Sequence, residues 1–118
     1  MAYLKHLYNG SLISVYEIGD ITVIGRNANC NIRVEDATVS AHHARVEKQE
    51  ENTWRLVDLA STNGVFVNGK SVAESILEPG SAFSLGTHTF EFHLEPPTQF
   101  DQTLKIKKSW IPGIYYTE

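Results

Sequence analysis

Three short segments gather the residues of this chain most able to do chemistry: Gly25-Arg26, Ser40-Ala41-His42-His43, and the run from Asp58 through Ser61-Thr62-Asn63-Gly64 to Asn68-Gly69. They are polar and lie between apolar alternations, which puts them in loops, where a rigid scaffold presents its binding groups. An arginine is a permanent, forked cation able to hold a single anion. Taken alone, it more often pairs with a carboxylate on the surface. Ser40, His43 and Asp58 supply the residue types of a hydrolytic triad, but no Gly-x-Ser-x-Gly elbow surrounds the serine. Cys30, His42, His43, His88 and His93 have no recognised zinc spacing. No metal or cofactor is therefore expected, and Cys30 is expected to pack as a small hydrophobe. The chemistry on offer is binding rather than catalysis.

The elements that must position these loops read as β throughout, since period-two alternation dominates and no long window carries a helical period. Expected strands are Leu4 to Tyr8, Leu12 to Ile18, Thr22 to Ile24, Ile32 to Val34, Ala44 to Lys48, Trp54 to Leu59, Phe66 to Val67, Ala82 to Leu85 and Thr89 to Leu94. Turn chemistry separates them at Asn9-Gly10, Gly19-Asp20, Glu50-Glu51-Asn52, Asn63-Gly64, Asn68-Gly69, Pro79-Gly80 and Gly86. Many short strands at this spacing argue an all-β sandwich or barrel. In the last strand Phe90, Phe92 and Leu94 alternate with Thr89, Glu91 and His93, so one face is expected to be buried. Pro96-Pro97 ends the pattern, because neither proline can donate to a ladder. The expected division is a domain over 1–95 and a tail over 96–118, whose Trp110, Ile111, Ile114, Tyr115 and Tyr116 are expected to pack back or lead into a further segment.

The 118 residues are 42% hydrophobic and 20% charged, enough for one domain that buries about two-thirds of its unfolded surface without staples. A single cysteine excludes an intrachain disulfide framework and suits a reducing compartment. With no apolar span and no signal-peptide pattern at the start, a cytoplasmic location is expected. Residues 1–95 carry 7 basic and 12 acidic groups, so the many-phosphate contact of nucleic acid or an anionic membrane is not expected.

Together, in this order and spacing within a short-strand pattern, the three segments closely resemble the forkhead-associated (FHA) domain, a phosphothreonine-binding β-sandwich. The resemblance covers roughly Ile21 to Leu94. It implies a sandwich of two mainly antiparallel sheets, and a phosphothreonine-dependent peptide- or protein-binding module in Ser/Thr-kinase signalling. It also implies that Arg26 and Ser40 meet the phosphate, with Thr62 giving a second hydroxyl and Asn63 fixing the peptide main chain. A phosphate with about −1.5 to −2 charge and three acceptor oxygens suits such donors. Gly25, His43, Gly64, Asn68 and Gly69 are implied to shape the loops without touching ligand. The family often has a basic or amide side chain after the serine, where this chain has Ala41; Asn27 or His42 is a candidate to compensate. Thr38 stands where some relatives carry an arginine that reads the third residue after the phosphothreonine. Tail residues Thr98 and Thr103 resemble ligands for such a site, which makes phospho-dependent self-association the alternative partner reading.

Overall fold

The computed structural model describes residues 2–50 and 53–94; the tail, with Thr98 and Thr103, lies outside the described residues. Alternation there produces eleven strands: β1 (Ala2–Tyr8), β2 (Ser11–Ile18), β3 (Ile21–Gly25), β4 (Ile32–Arg33), β5 (Ala44–Lys48), β6 (Trp54–Asp58), β7 (Val65–Val67), β8 (Lys70–Val72), β9 (Glu74–Leu77), β10 (Ala82–Leu85) and β11 (His88–His93). They form the expected all-β sandwich, with one sheet ordered β2-β1-β11-β10-β7-β8 and the other β4-β3-β5-β6-β9. Pairing is mostly antiparallel, and β3 runs parallel to β4. The nine expected strands form, two with the expected ends (Ala44–Lys48 and Ala82–Leu85) and seven with an end displaced by one or two residues. Strands β8 and β9 were hidden in the sequence because Leu77 is the one buried side chain between them, too few to mark an alternation.

Inward residues of both sheets fill the space between them. Leu4, Phe83, Leu85, Phe90 and Phe92 come from one sheet and Ile24, Val46, Trp54 and Leu56 from the other, all at 5% exposure or less. Burying each such side chain contributes about 1.5–3 kcal/mol. Trp54 meets Phe92 across the core at 5.5 Å between ring centroids. On β11 the inward set is Phe90 and Phe92, as expected, and it extends to a buried His88.

The same pairings sort the loops. Asn9-Gly10 and Asn68-Gly69 close tight hairpins with both residues left-handed, at φ of 52° and 81° and of 53° and 80°. Tyr8 pairs with His88, so the β1–β2 hairpin lies beside the β10–β11 turn. Thr87 of that turn donates to Asp36 of the β4–β5 loop, and Asn63 of the β6–β7 loop donates to Thr38. One end of the sandwich thus collects the loops. Ala2 and Leu94 lie at the other, since Tyr3 pairs with His93.

Phe92→Ala is expected to cost about 3–5 kcal/mol, a large share of the stability of a domain this size. Urea unfolding should show the midpoint falling with the slope unchanged; a loss below about 1 kcal/mol would contradict a core packed on Phe92.

Candidate functional site

The loop end is organised around His43, which is fully buried. Its backbone N–H donates to the Ile24 carbonyl at 2.9 Å and its carbonyl accepts from Leu59 N–H at 3.0 Å, bridging β3 to the β6–β7 loop. Its ring bridges again: Nδ1 accepts from the Ser40 N–H at 3.0 Å and Nε2–H donates to the Gly64 carbonyl at 2.8 Å. A nitrogen that accepts from an amide and another that donates to a carbonyl define the neutral Nε2–H tautomer. The third loop joins through backbone. Arg26 N–H donates to the Ser40 carbonyl at 2.9 Å, and Asn27 N–H to the Ala41 carbonyl at 3.1 Å. Only glycine fits at position 25, because a Cβ there would overlap the Ala41 carbonyl oxygen and sit 3.0 Å from Cys30 Sγ.

Ser40 Oγ accepts from the Thr62 N–H at 3.0 Å, which leaves its own hydrogen free to donate outward. Asn63 spends one amide hydrogen on the Thr38 carbonyl at 2.9 Å, leaving its side-chain carbonyl to accept. Thr38 is in turn capped by Asp36, whose Oδ1 accepts from its N–H at 2.8 Å and its hydroxyl at 2.7 Å. Those two bonds, the backbone one first, and the His88 ring behind them hold the Asp36 carboxyl at a pKa of about 2, below the ordinary 3.8. Gly86 is left-handed at φ 60° and lies against Thr38, with no room there for a Cβ. In the β6–β7 loop Asp58 Oδ1 accepts from Ser61 N–H and Ser61 Oγ accepts from Gly64 N–H, both at 3.0 Å.

Arg26 is exposed and begins the β3–β4 loop, one residue past the end of β3. Among the described residues its guanidinium enters no ion pair, whereas Arg33 pairs with Glu35, Arg45 with Glu47, and Arg55 with Glu47 and Glu74. Glu47 is held below its usual pKa, chiefly by the Arg55 hydrogen bond. Arg33 Nε also donates to the Arg26 carbonyl at 3.2 Å. Asn27 and His42 are partly engaged: Asn27 Oδ1 accepts from Asn29 N–H at 3.0 Å, and His42 Nε2 lies 3.1 Å from Asn29 Oδ1. Cys30 is half-buried, not a core hydrophobe, and its thiol donates to the Ala41 carbonyl at 3.2 Å. Burial pushes its pKa up.

Arg26, Ser40, Thr62 and Asn63 therefore come together from three loops, with Asn27, Thr38, Ala41 and His42 around them. Asn68 and Gly69 sit at the far end of β7 and shape its hairpin. The triad types do not form a relay: His43 bonds the Ser40 backbone, while Asp58 caps Ser61. Asp36 and Thr87 join the site without having stood out in the sequence. An aspartate two residues before Thr38 is the spacing of an Asx turn, a signal that was present for Asp36.

His43→Ala strands the Ser40 N–H and the Gly64 carbonyl, so thermal unfolding should show a loss of about 3 kcal/mol; no loss would contradict the bridge. The Asp36 carboxyl is expected to titrate near 2 by carbon NMR. Its stabilising contribution is complete above about 4 and disappears as pH falls through that midpoint; a midpoint near 3.8 would contradict the cap.

With this geometry in place, comparison with known proteins is informative. The FHA-domain family profile matches residues 22–86. The glycogen accumulation regulator GarA of Mycobacterium tuberculosis is 34% identical over 76 residues, 64% of this chain and 46% of that protein. The chain thus spans about half the length of the curated relatives it matches. EmbR of Mycobacterium tuberculosis, solved in complex with a low-affinity phosphopeptide, superposes with a TM-score of 0.74 at 29% identity, over 84% of this chain and 26% of EmbR. The FhaA FHA domain, solved in complex with the intracellular domain of Rv3910, gives 0.69 at 27% identity, covering 79% of this chain and all of that domain. A profile match over more than half of the chain, on a sandwich of the same fold, makes this protein a member of the FHA-domain family.

Proposed function

We propose that the chain is a non-catalytic reader of phosphothreonine peptides, working in the cytoplasm downstream of a Ser/Thr kinase. The observation that carries this reading is the division among its four arginines: three are committed to carboxylates and Arg26, among the described residues, is not. A guanidinium with no carboxylate among the described residues, on a residue whose backbone bonds Ser40, suits a dianion with three acceptor oxygens. Asn63 accepts from the peptide main chain with its side-chain carbonyl, and the exposed Thr62 lies next to the phosphate. Family neighbours point the same way, EmbR having been solved with a phosphopeptide.

The rim decides selectivity. Ala41 offers no donor, and Asn27 or His42, each engaged with Asn29, is the candidate to compensate. Thr38 brings no cation to the third residue after the phosphothreonine, and its hydroxyl faces the Asp36 carboxylate. An apolar residue is preferred there over an acidic one.

Self-association is the second reading, and the positions of the chain ends give it a geometric form. Leu94 lies a full strand from the loops, about 20 Å at 3.3 Å per residue. Four further residues span at most about 14 Å, so a phosphorylated Thr98 reaches a site only in a second copy. A phosphorylated chain that sediments as a monomer at high concentration would refute this.

Calorimetric titration with matched phosphothreonine, phosphoserine and unmodified peptides tests the main reading. A Kd of roughly micromolar, near −8 kcal/mol, is expected for phosphothreonine alone. Arg26→Ala should weaken it at least about tenfold, the worth of a charged hydrogen bond. Equal affinity for the unmodified peptide would overturn the reading. Binding should also weaken as pH falls through about 6, where the phosphate loses its second charge.

A further inference from the structure

Among Arg26, Ser40, Thr62 and Asn63, only Asn63 has a side chain with a donor on one arm and an acceptor on the other, so what it reads depends on which arm points out. Its neighbours fix that direction. The Thr38 carbonyl lies 2.9 Å from the Asn63 amide nitrogen and can only accept, so the nitrogen faces it and the side-chain carbonyl is left outward. Thr38 is fixed in turn. Its N–H and its hydroxyl donate to Asp36 Oδ1 at 2.8 and 2.7 Å, which spends both of its donors on one carboxylate oxygen.

Asp36 is anchored on two sides. Its backbone carbonyl accepts from the N–H of Val39 at 2.9 Å, closing a four-residue turn on a core side chain that is 1% exposed. Its Oδ2 accepts from the Thr87 hydroxyl at 3.4 Å and lies 3.1 Å from His88 Nε2, on a ring whose Nδ1 is 2.8 Å from His6 Nε2. With a pKa of about 2 the carboxyl is a charged acceptor at neutral pH.

We propose that Asp36 is a positioning residue that sets the polarity of Asn63, so that this end of the site takes an extended peptide with a free main-chain N–H and rejects one that lacks it. The inference rests on Asn63 reading the peptide main chain. Polarity passes along the contacts one step at a time. A carboxylate only accepts, so the Thr38 N–H and hydroxyl turn toward it, and the turn they close aims the Thr38 carbonyl at the β6–β7 loop. Without the carboxylate both bonds are lost and that carbonyl is no longer held. Asn63 is exposed, and the last torsion of an asparagine is broad and roughly two-fold, so a released amide presents nitrogen or oxygen alike. The phosphate end does not depend on Asp36, because Ser40 is held by the His43 ring and by the Thr62 N–H.

The test uses the whole chain, a phosphothreonine peptide, and three analogues in which an ester oxygen replaces one of the three main-chain N–H groups after the phosphothreonine. For the wild type one analogue should bind about fivefold more weakly than the parent, the worth of one neutral hydrogen bond. Asn63→Ala should abolish that difference, and Asp36→Ala should reduce it below about twofold. Asp36→Asn keeps an acceptor for Thr38 and should restore it. A difference that persists in Asp36→Ala while absent in Asn63→Ala would overturn the inference, even where the alanine variant binds every peptide more weakly, since the aspartate would then only stabilise the loop. A difference that survives in Asn63→Ala, or no weaker analogue in the wild type, would overturn the reading of Asn63 and the inference with it. Thr38→Val, which loses the hydroxyl bond and keeps the backbone one, serves if Asp36→Ala does not fold: the difference should shrink there too, and an undiminished one would overturn the inference. A wild type that binds no phosphopeptide would overturn the reading of the site. The Asn63 side-chain amide resonances of the free chain then decide the inference: they should move in Asp36→Ala and stay in place in Asp36→Asn, and resonances unmoved in the alanine variant would overturn it.

Discussion

The site depends on one buried imidazole. His43 is tied by backbone to β3 and to the β6–β7 loop, and by its two ring nitrogens to Ser40 and Gly64. Four bonds at one residue make the loops a single body, so Ser40 and the Thr62-Asn63 pair cannot drift apart independently. A phosphate is a small target with fixed acceptor directions. Holding the donors in place before ligand arrives avoids the ordering cost that flexible loops would incur on binding.

Charge is divided to the same end. On the outer face of the five-stranded sheet, Glu47 gathers Arg45 and Arg55, and Glu74 takes a second contact from Arg55. These partly exposed pairs add little stability individually. Their larger effect is to neutralise cations that would otherwise compete for an anion, leaving Arg26 as the arginine without a carboxylate among the described residues. On the function proposed above, an acidic domain holds one phosphate at a single arginine and needs no basic stripe to do so.

Much of this was legible in the sequence, for reasons that differ by residue. Long alternations such as Phe90 and Phe92 announce a strand because each inward position is apolar, and the Asn-Gly pairs announce hairpins because both residues must be left-handed. Arg26, Ser40 and Thr62-Asn63 were legible as a spaced set. Strands β8 and β9 were not, since polar three- and four-residue segments acquire their identity from pairing with β7 and β6. His6 and His88 were illegible as a pair because 82 positions separate them, and only the register of β1 on β11 brings them together. The engagement of Asn27 and His42 with Asn29 likewise depends on where two loops cross.

A crystal structure of the domain bound to a phosphothreonine peptide tests the central claim most directly. The account predicts the phosphate within hydrogen-bond reach of the Arg26 guanidinium and the Ser40 hydroxyl. It also predicts that the His43 bonds to Ser40 and Gly64 stay intact and that the loop backbone moves less than about 1 Å, as in other pre-organised complexes. A phosphate held elsewhere, or loops that reach it only by breaking the His43 bridge, would contradict it.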